Sequence, residues 1–90
     1  MNTVDNAKKL IKSLNRRKNI DSVDTYAFFE EDENWFFYIS ITGYIDNDYF
    51  DILICRSKYS KEESVKIIDT TDCEDKIRNI LTKFDLITPY

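Results

Sequence analysis

Residues Trp35 to Thr42, WFFYISIT, put a wholly apolar set at every second position. Successive side chains of a strand point to opposite faces. Trp35, Phe37, Ile39 and Ile41 therefore share one face, and Phe36, Tyr38, Ser40 and Thr42 share the other. This is the clearest strand in the chain, and it demands a sheet whose apolar face is covered. The neighbouring segments read alike. In Val23–Glu30, Val23, Thr25, Ala27 and Phe29 look inward, leaving Asp24, Tyr26, Phe28 and Glu30 outward. In Tyr49–Arg56, Phe50, Ile52 and Ile54 form the apolar set, opposed by Tyr49, Asp51, Leu53 and Cys55. Ser64–Asp69 reads as a fourth strand. Glu31–Asn34 and Gly43–Asp48 supply hairpin turns, Asn47 and Asp48 tolerating unusual backbone angles. Ser57–Glu63 is a charged loop.

Two helical periods bracket these strands. Val4, Ala7, Leu10, Ile11 and Leu14 recur at three- and four-residue spacing, with Thr3 or Asn2 to cap the start. Arg16, Arg17 and Lys18 complement the negative pole at its end. Near the C-terminus, Thr71-Asp72-Cys73-Glu74 has the form of a capping box. It precedes an apolar stripe of Ile77, Ile80, Leu81 and Phe84. The expected fold is α+β: helix, a three- to four-stranded antiparallel meander, helix, with both helices packed on one sheet face. Ninety residues make one domain, 1–90, with room for one modest core.

Charge is segregated along the chain. Residues 1–20 carry six bases against Asp5, net +5. Residues 21–55 carry nine acids and no base, and residues 56–90 balance, giving −4 overall. The acidic block also holds ten of the thirteen aromatic residues. An open sheet face carrying Tyr26, Phe28, Phe36, Tyr38 and Tyr49, edged by Tyr44 and bordered by Asp24, Glu30 and Asp51, has the character of a protein-binding surface. Tyrosine gives large contact area at low entropic cost, and carboxylates steer a basic partner. The expected contact set is Asp24, Tyr26, Phe28, Glu30, Glu31, Asp32, Glu33, Tyr38, Asp46, Asp48, Tyr49 and Asp51. A solvated face whose aromatic pairs merely stabilise the sheet is the plain alternative, and dimerisation through the tyrosines another.

Several chemistries fall away. There is no histidine, so the usual general base is missing. One glycine cannot build a phosphate cradle. Asp46-Asn47-Asp48 lacks the glycine and the terminal glutamate of a calcium loop. Glu74-Asp75-Lys76 matches a nuclease fragment but sits in a helix. Cys73 is near a helix start, yet three acids adjoin it. Cys55 and Cys73 alone do not fill a zinc site, and both are expected to be reduced packing thiols. No metal, cofactor or enzymatic activity is expected. No secretory signal is read, and the longest uncharged run, 34–45, is far short of a membrane span. The expected location is cytoplasmic.

The rival to protein binding is a nucleic-acid contact through the first helix, using Lys8, Lys9, Lys12, Arg16, Arg17 and Lys18. The layout also matches double-stranded-RNA-binding domains, but the start of the last helix is acidic where those are basic. By layout and composition the chain looks like the small acidic inhibitors of phages and mobile elements. Anti-CRISPR proteins of α-β-β-β-α arrangement are among them, and toxin-immunity proteins are similar in size and charge. The AT-rich character of the composition points the same way. That likeness implies an inhibitor acting as a nucleic-acid mimic on a basic, nucleic-acid-handling enzyme, as a monomer or homodimer. It carries over no residue.

Overall fold

Helix α1 (Thr3–Leu14) forms where the apolar period demands it: Ala7, Leu10 and Leu14 are fully buried while Lys8, Lys9 and Lys12 are exposed. The structure is a computed structural model that describes residues 3–28, 35–57, 59 and 62–88. The helix closes at Asn15, whose backbone N–H and side-chain amide both donate to the Ile11 carbonyl at 3.1 and 3.0 Å. At its start the Thr3 hydroxyl donates to the Glu63 carboxylate, tying the first turn to the approach of the last strand.

Four strands follow: β1 (Ile20–Phe28), β2 (Trp35–Ile45), β3 (Asp48–Ser57) and β4 (Ser64–Thr70). They pair antiparallel in the order β1-β2-β3-β4, the expected meander with all four strands present. Strand β1 begins three residues before the predicted Val23. Ser22 takes a positive φ of 55°, and the register shifts between Asp21 and Asp24. The extra residue of this bulge lets Ile20 and Val23 both pack into the core.

The second turn is tighter than the predicted Gly43–Asp48. It consists of Asp46 and Asn47 alone, at φ 49° and 70°, flanked by the Ile45–Asp48 pair. Positive φ at both central residues is what a two-residue type I′ hairpin requires, and Asp and Asn tolerate it. Gly43 is therefore a strand residue. A Cβ there would lie 2.9 Å from Phe50 Cζ and 3.3 Å from the Asp21 carbonyl oxygen. The missing side chain lets the Phe50 ring lie across the strand.

Helix α2 (Glu74–Lys83) starts without the expected capping box. The Thr71 backbone N–H donates to the Tyr49 carbonyl at 3.0 Å, Asp72 turns the chain at φ 72°, and Cys73 is the N-cap with no side-chain cap bond. The chain is captured by β3 before the box can close. The far end is a Schellman motif: Leu86 N–H donates to the Leu81 carbonyl and Asp85 N–H to that of Thr82, both at 3.0 Å, with Asp85 at φ 56°. Its apolar clasp is Leu86 against the cluster that holds Leu81, so the start of the tail docks.

One buried cluster joins Ala7, Leu10 and Leu14 of α1, Ile39, Ile41, Phe50, Ile52 and Ile54 of the sheet, and Ile77, Ile80 and Leu81 of α2. Helix α1 lies against β1 and β2, and α2 against β4. Among the described residues, no helix is long and apolar enough to cross a membrane. Both cysteines are buried and unbridged. The Cys73 thiol donates to the Tyr49 carbonyl at 3.2 Å. Burial pushes both thiols up, in Cys73 against the lowering effect of the Thr71 backbone. Neither is poised as a thiolate. A disulfide-exchange reagent at pH 8 should therefore label both only slowly in native protein and fast in denaturant. Rapid native labelling of either would contradict the packing described.

Candidate protein-binding face

Paired residues of an antiparallel sheet project to the same side, so the register assembles the face opposite the buried alternates in four rows. Asp21, Tyr44 and Tyr49 form the first. Asp24, Thr42, Asp51 and Asp69 form the second, one residue from each strand. Tyr26, Ser40, Leu53 and Lys66 form the third, and Tyr38, Cys55 and Ser64 hold the fourth, where Cys55 is itself buried. Tyr26 is 66% exposed and Tyr44 43%. Two aromatic pairs meet edge to face: Tyr26 with Tyr38 across a diagonal, centroids 6.1 Å apart, and Tyr44 with Tyr49 directly opposite at 5.6 Å. Edge-to-face pairs of this kind contribute about 0.5–1.5 kcal/mol beyond their buried area.

The second row sets the electrostatics. Asp51 stands directly opposite Asp69, and Asp24 lies two strands away in the same row. Desolvation first, then the Asp69 charge, push the Asp51 carboxyl above its ordinary value. Burial, Asp51, Asp69 and Tyr44 likewise push the Tyr49 phenol up. An acid whose folded pKa is raised costs stability while ionised, and the cost fades as pH falls and the acid takes up its proton. Asp69→Asn should therefore raise stability at pH 7. Opposed like charges cost roughly 0.2–1 kcal/mol, and solvent screening places this pair at the lower end. The gain should shrink as pH falls through the carboxylate range, which urea melts of both proteins at pH 7 and pH 4 would read. A gain that persists unchanged at pH 4 would exclude the charge pair as its source.

The expected contact residues divide into three groups. Asp24, Tyr26, Tyr38, Tyr49 and Asp51 come together on this face, with Phe28 at the register position opposite Tyr38. Asp46 and Asp48 do not. Asp46 is in the β2–β3 turn, where Lys76 Nζ at 3.0 Å and Asn19 Nδ2 at 3.3 Å donate to its Oδ2. These contacts hold its carboxyl below the usual range, the Lys76 hydrogen bond acting most. Asp48 pairs in register with the buried Ile45. Glu30, Glu31, Asp32 and Glu33 lie outside the described residues. Phe36 departs from its expected place. At the bulge between Trp35 and Phe37 it packs against the buried cluster, with the Arg56 guanidinium 4.8 Å above its ring.

Asp69 and Lys66 complete the face from β4, and the sequence alone does not single them out, whereas Thr42 takes the outward place that alternation along β2 gives it. Simple alternation along β4 puts Asp69 with Val65 and Ile67, facing in. The register instead passes from Ile52–Ile67 to Asp51–Asp69, leaving Ile68 as the extra residue of a bulge and turning Asp69 outward. No local signal marks that bulge. Among the described residues, no group of three or more potential ligands could hold a metal ion.

The chain is thus an α+β protein built on a four-stranded antiparallel sheet, with a tyrosine- and aspartate-bearing face. No family model matches it, and comparison with curated proteins and with solved structures yields no match.

Proposed function

We propose that the protein is a non-enzymatic inhibitor whose acidic tyrosine face binds the basic, nucleic-acid-holding surface of an enzyme, as the small anti-defence proteins of phages and mobile elements do. The observation that carries this is the row Asp24, Thr42, Asp51, Asp69. Like charges directly opposite one another oppose sheet formation. A partner's lysines and arginines would relieve that repulsion, so binding gains what folding loses. The tyrosine pairs on either side supply apolar contact around the charged row. Both helices are taken to shelter the other face. The single buried cluster shared by α1, α2 and the inward alternates of the sheet supports this.

Glu30 to Glu33 would extend the negative field along the chain between β1 and β2, steering association. The test is competition. Immobilised protein is exposed to nuclease-treated lysate of a low-GC bacterium, and the captured enzyme is then offered its nucleic acid. Mutually exclusive binding, with loss of enzyme activity at stoichiometric inhibitor, is expected. An enzyme that still holds nucleic acid while saturated with this protein would refute mimicry.

A further inference from the structure

The opposite sign of charge is gathered elsewhere, around a groove between α1 and the end of α2. Lys9, Lys12, Ser13, Arg16, Arg17 and Phe84 line it, and its volume is about 470 Å³. Lys9, Lys12 and Ser13 lie at three- and four-residue spacing in one stripe of α1 beside its buried one, and Arg16 follows in the turn after the helix, its backbone N–H donating to the Ser13 carbonyl at 3.1 Å. Phe84, half-buried past the last turn of α2, forms the apolar floor. Arg17 is held in place: its Nε donates to Ser13 Oγ at 3.2 Å, leaving the guanidinium's terminal nitrogens to face a ligand. Among the described residues, no carboxylate lies within ion-pair distance of Lys9, Lys12, Arg16 or Arg17.

From this groove we infer a second binding site, for a single strand of nucleic acid, distinct from the acidic face and independent of what that face binds. Four cations along one groove demand a polyanion. The stripe runs roughly 10 Å at 1.5 Å per residue, and the long lysine and arginine side chains extend it, so that Lys9, Lys12 and Arg16 can each meet one of three successive phosphates of a strand. The aromatic floor selects the strandedness. A base can lie on Phe84 only if it is unpaired, and stacking of that kind is tolerant of sequence. Phosphates on Lys9, Lys12 and Arg16, with one base over Phe84, satisfy the groove's charge and its apolar area together. The end charges of a solvated helix would explain Arg16 and Arg17 but not an aromatic floor between the cations.

The experiment is fluorescence anisotropy of the full chain with a labelled 20-nucleotide oligothymidylate and with a duplex of equal length, from 50 to 300 mM salt. Binding of the single strand is expected, with affinity falling on a log–log slope of about −2, the value for three phosphates at roughly −0.7 each. Lys9→Glu with Arg16→Glu should weaken it at least tenfold. Phe84→Leu should weaken it about fivefold or more while leaving the salt slope unchanged. Thermal melts would confirm that both variants fold. Absence of binding at 50 mM salt, indifference to Lys9→Glu/Arg16→Glu, or tighter binding of the duplex would each overturn the assignment. So would concentration-dependent mass of the protein alone that the charge reversal abolishes, because the groove would then belong to the acidic face of another copy.

Discussion

Lysine at Asp24, Asp51 and Asp69 together should weaken binding to the captured enzyme at least a hundredfold. These residues form one row across the sheet, and reversal sets like charges against the partner at three neighbouring points. Such juxtaposition costs several kcal/mol, and about 2.8 kcal/mol is already a hundredfold. Most of the loss should appear in the association rate, whose salt dependence should flatten or change sign. Neutral Asp24→Asn/Asp51→Asn/Asp69→Asn should lose less, and should melt higher than the parent because it removes repulsion without replacing it. Unchanged binding after reversal would remove the acidic row from the interface.

The second large effect is on stability. Gly43→Ala should destabilise by about 1–3 kcal/mol, the range for an atom forced into a packed core. For a chain of this size that lowers the melting temperature by roughly 4–24 °C. The new methyl would meet the edge of the Phe50 ring at 2.9 Å, and Phe50 is fully buried, so the ring has nowhere to swing. The Asp21 carbonyl at 3.3 Å restrains the other side. Phe50→Leu removes the clashing atoms, at a cost of its own. In that background the added cost of Gly43→Ala should fall by about 1 kcal/mol or more, which a double-mutant cycle would report. Additive costs would show that strand conformation, and not the ring, demands the glycine.

Much of this architecture is legible in the sequence because its strongest signals are periodic. The alternation of Phe37 to Ile41 and of Phe50 to Ile54 fixes which residues enter the core. The spacing of Ala7, Leu10 and Leu14, and of Ile77, Ile80 and Leu81, places the two helices. The features that escape the sequence are aperiodic. Bulges at Ser22, at Phe36 and at Ile68 each add one residue to a strand and reverse the facing of the residues beyond them. The first carries Ile20 inward, the second takes Phe36 to the core, and the third brings Asp69 out to Asp51. The Thr71–Glu74 box is a true capping pattern in isolation, yet the Tyr49 carbonyl takes the Thr71 N–H first. Asp46 shows the converse. As an acid in an acidic block it reads as part of the surface field, but Lys76, thirty residues on, claims its carboxylate. Composition locates the charge, and only the register shows which charges stand together.

Amide chemical-shift mapping would show whether the tyrosine and aspartate rows are the binding face. Isotope-labelled protein would be titrated with the captured, unlabelled enzyme. Perturbations concentrated at Asp24, Tyr26, Tyr38, Tyr44, Tyr49, Asp51 and Asp69, with α1 unaffected, are the expected result. Perturbations confined to Lys9, Lys12, Arg16 and Arg17, with the sheet silent, would contradict it and move the enzyme contact to the basic groove.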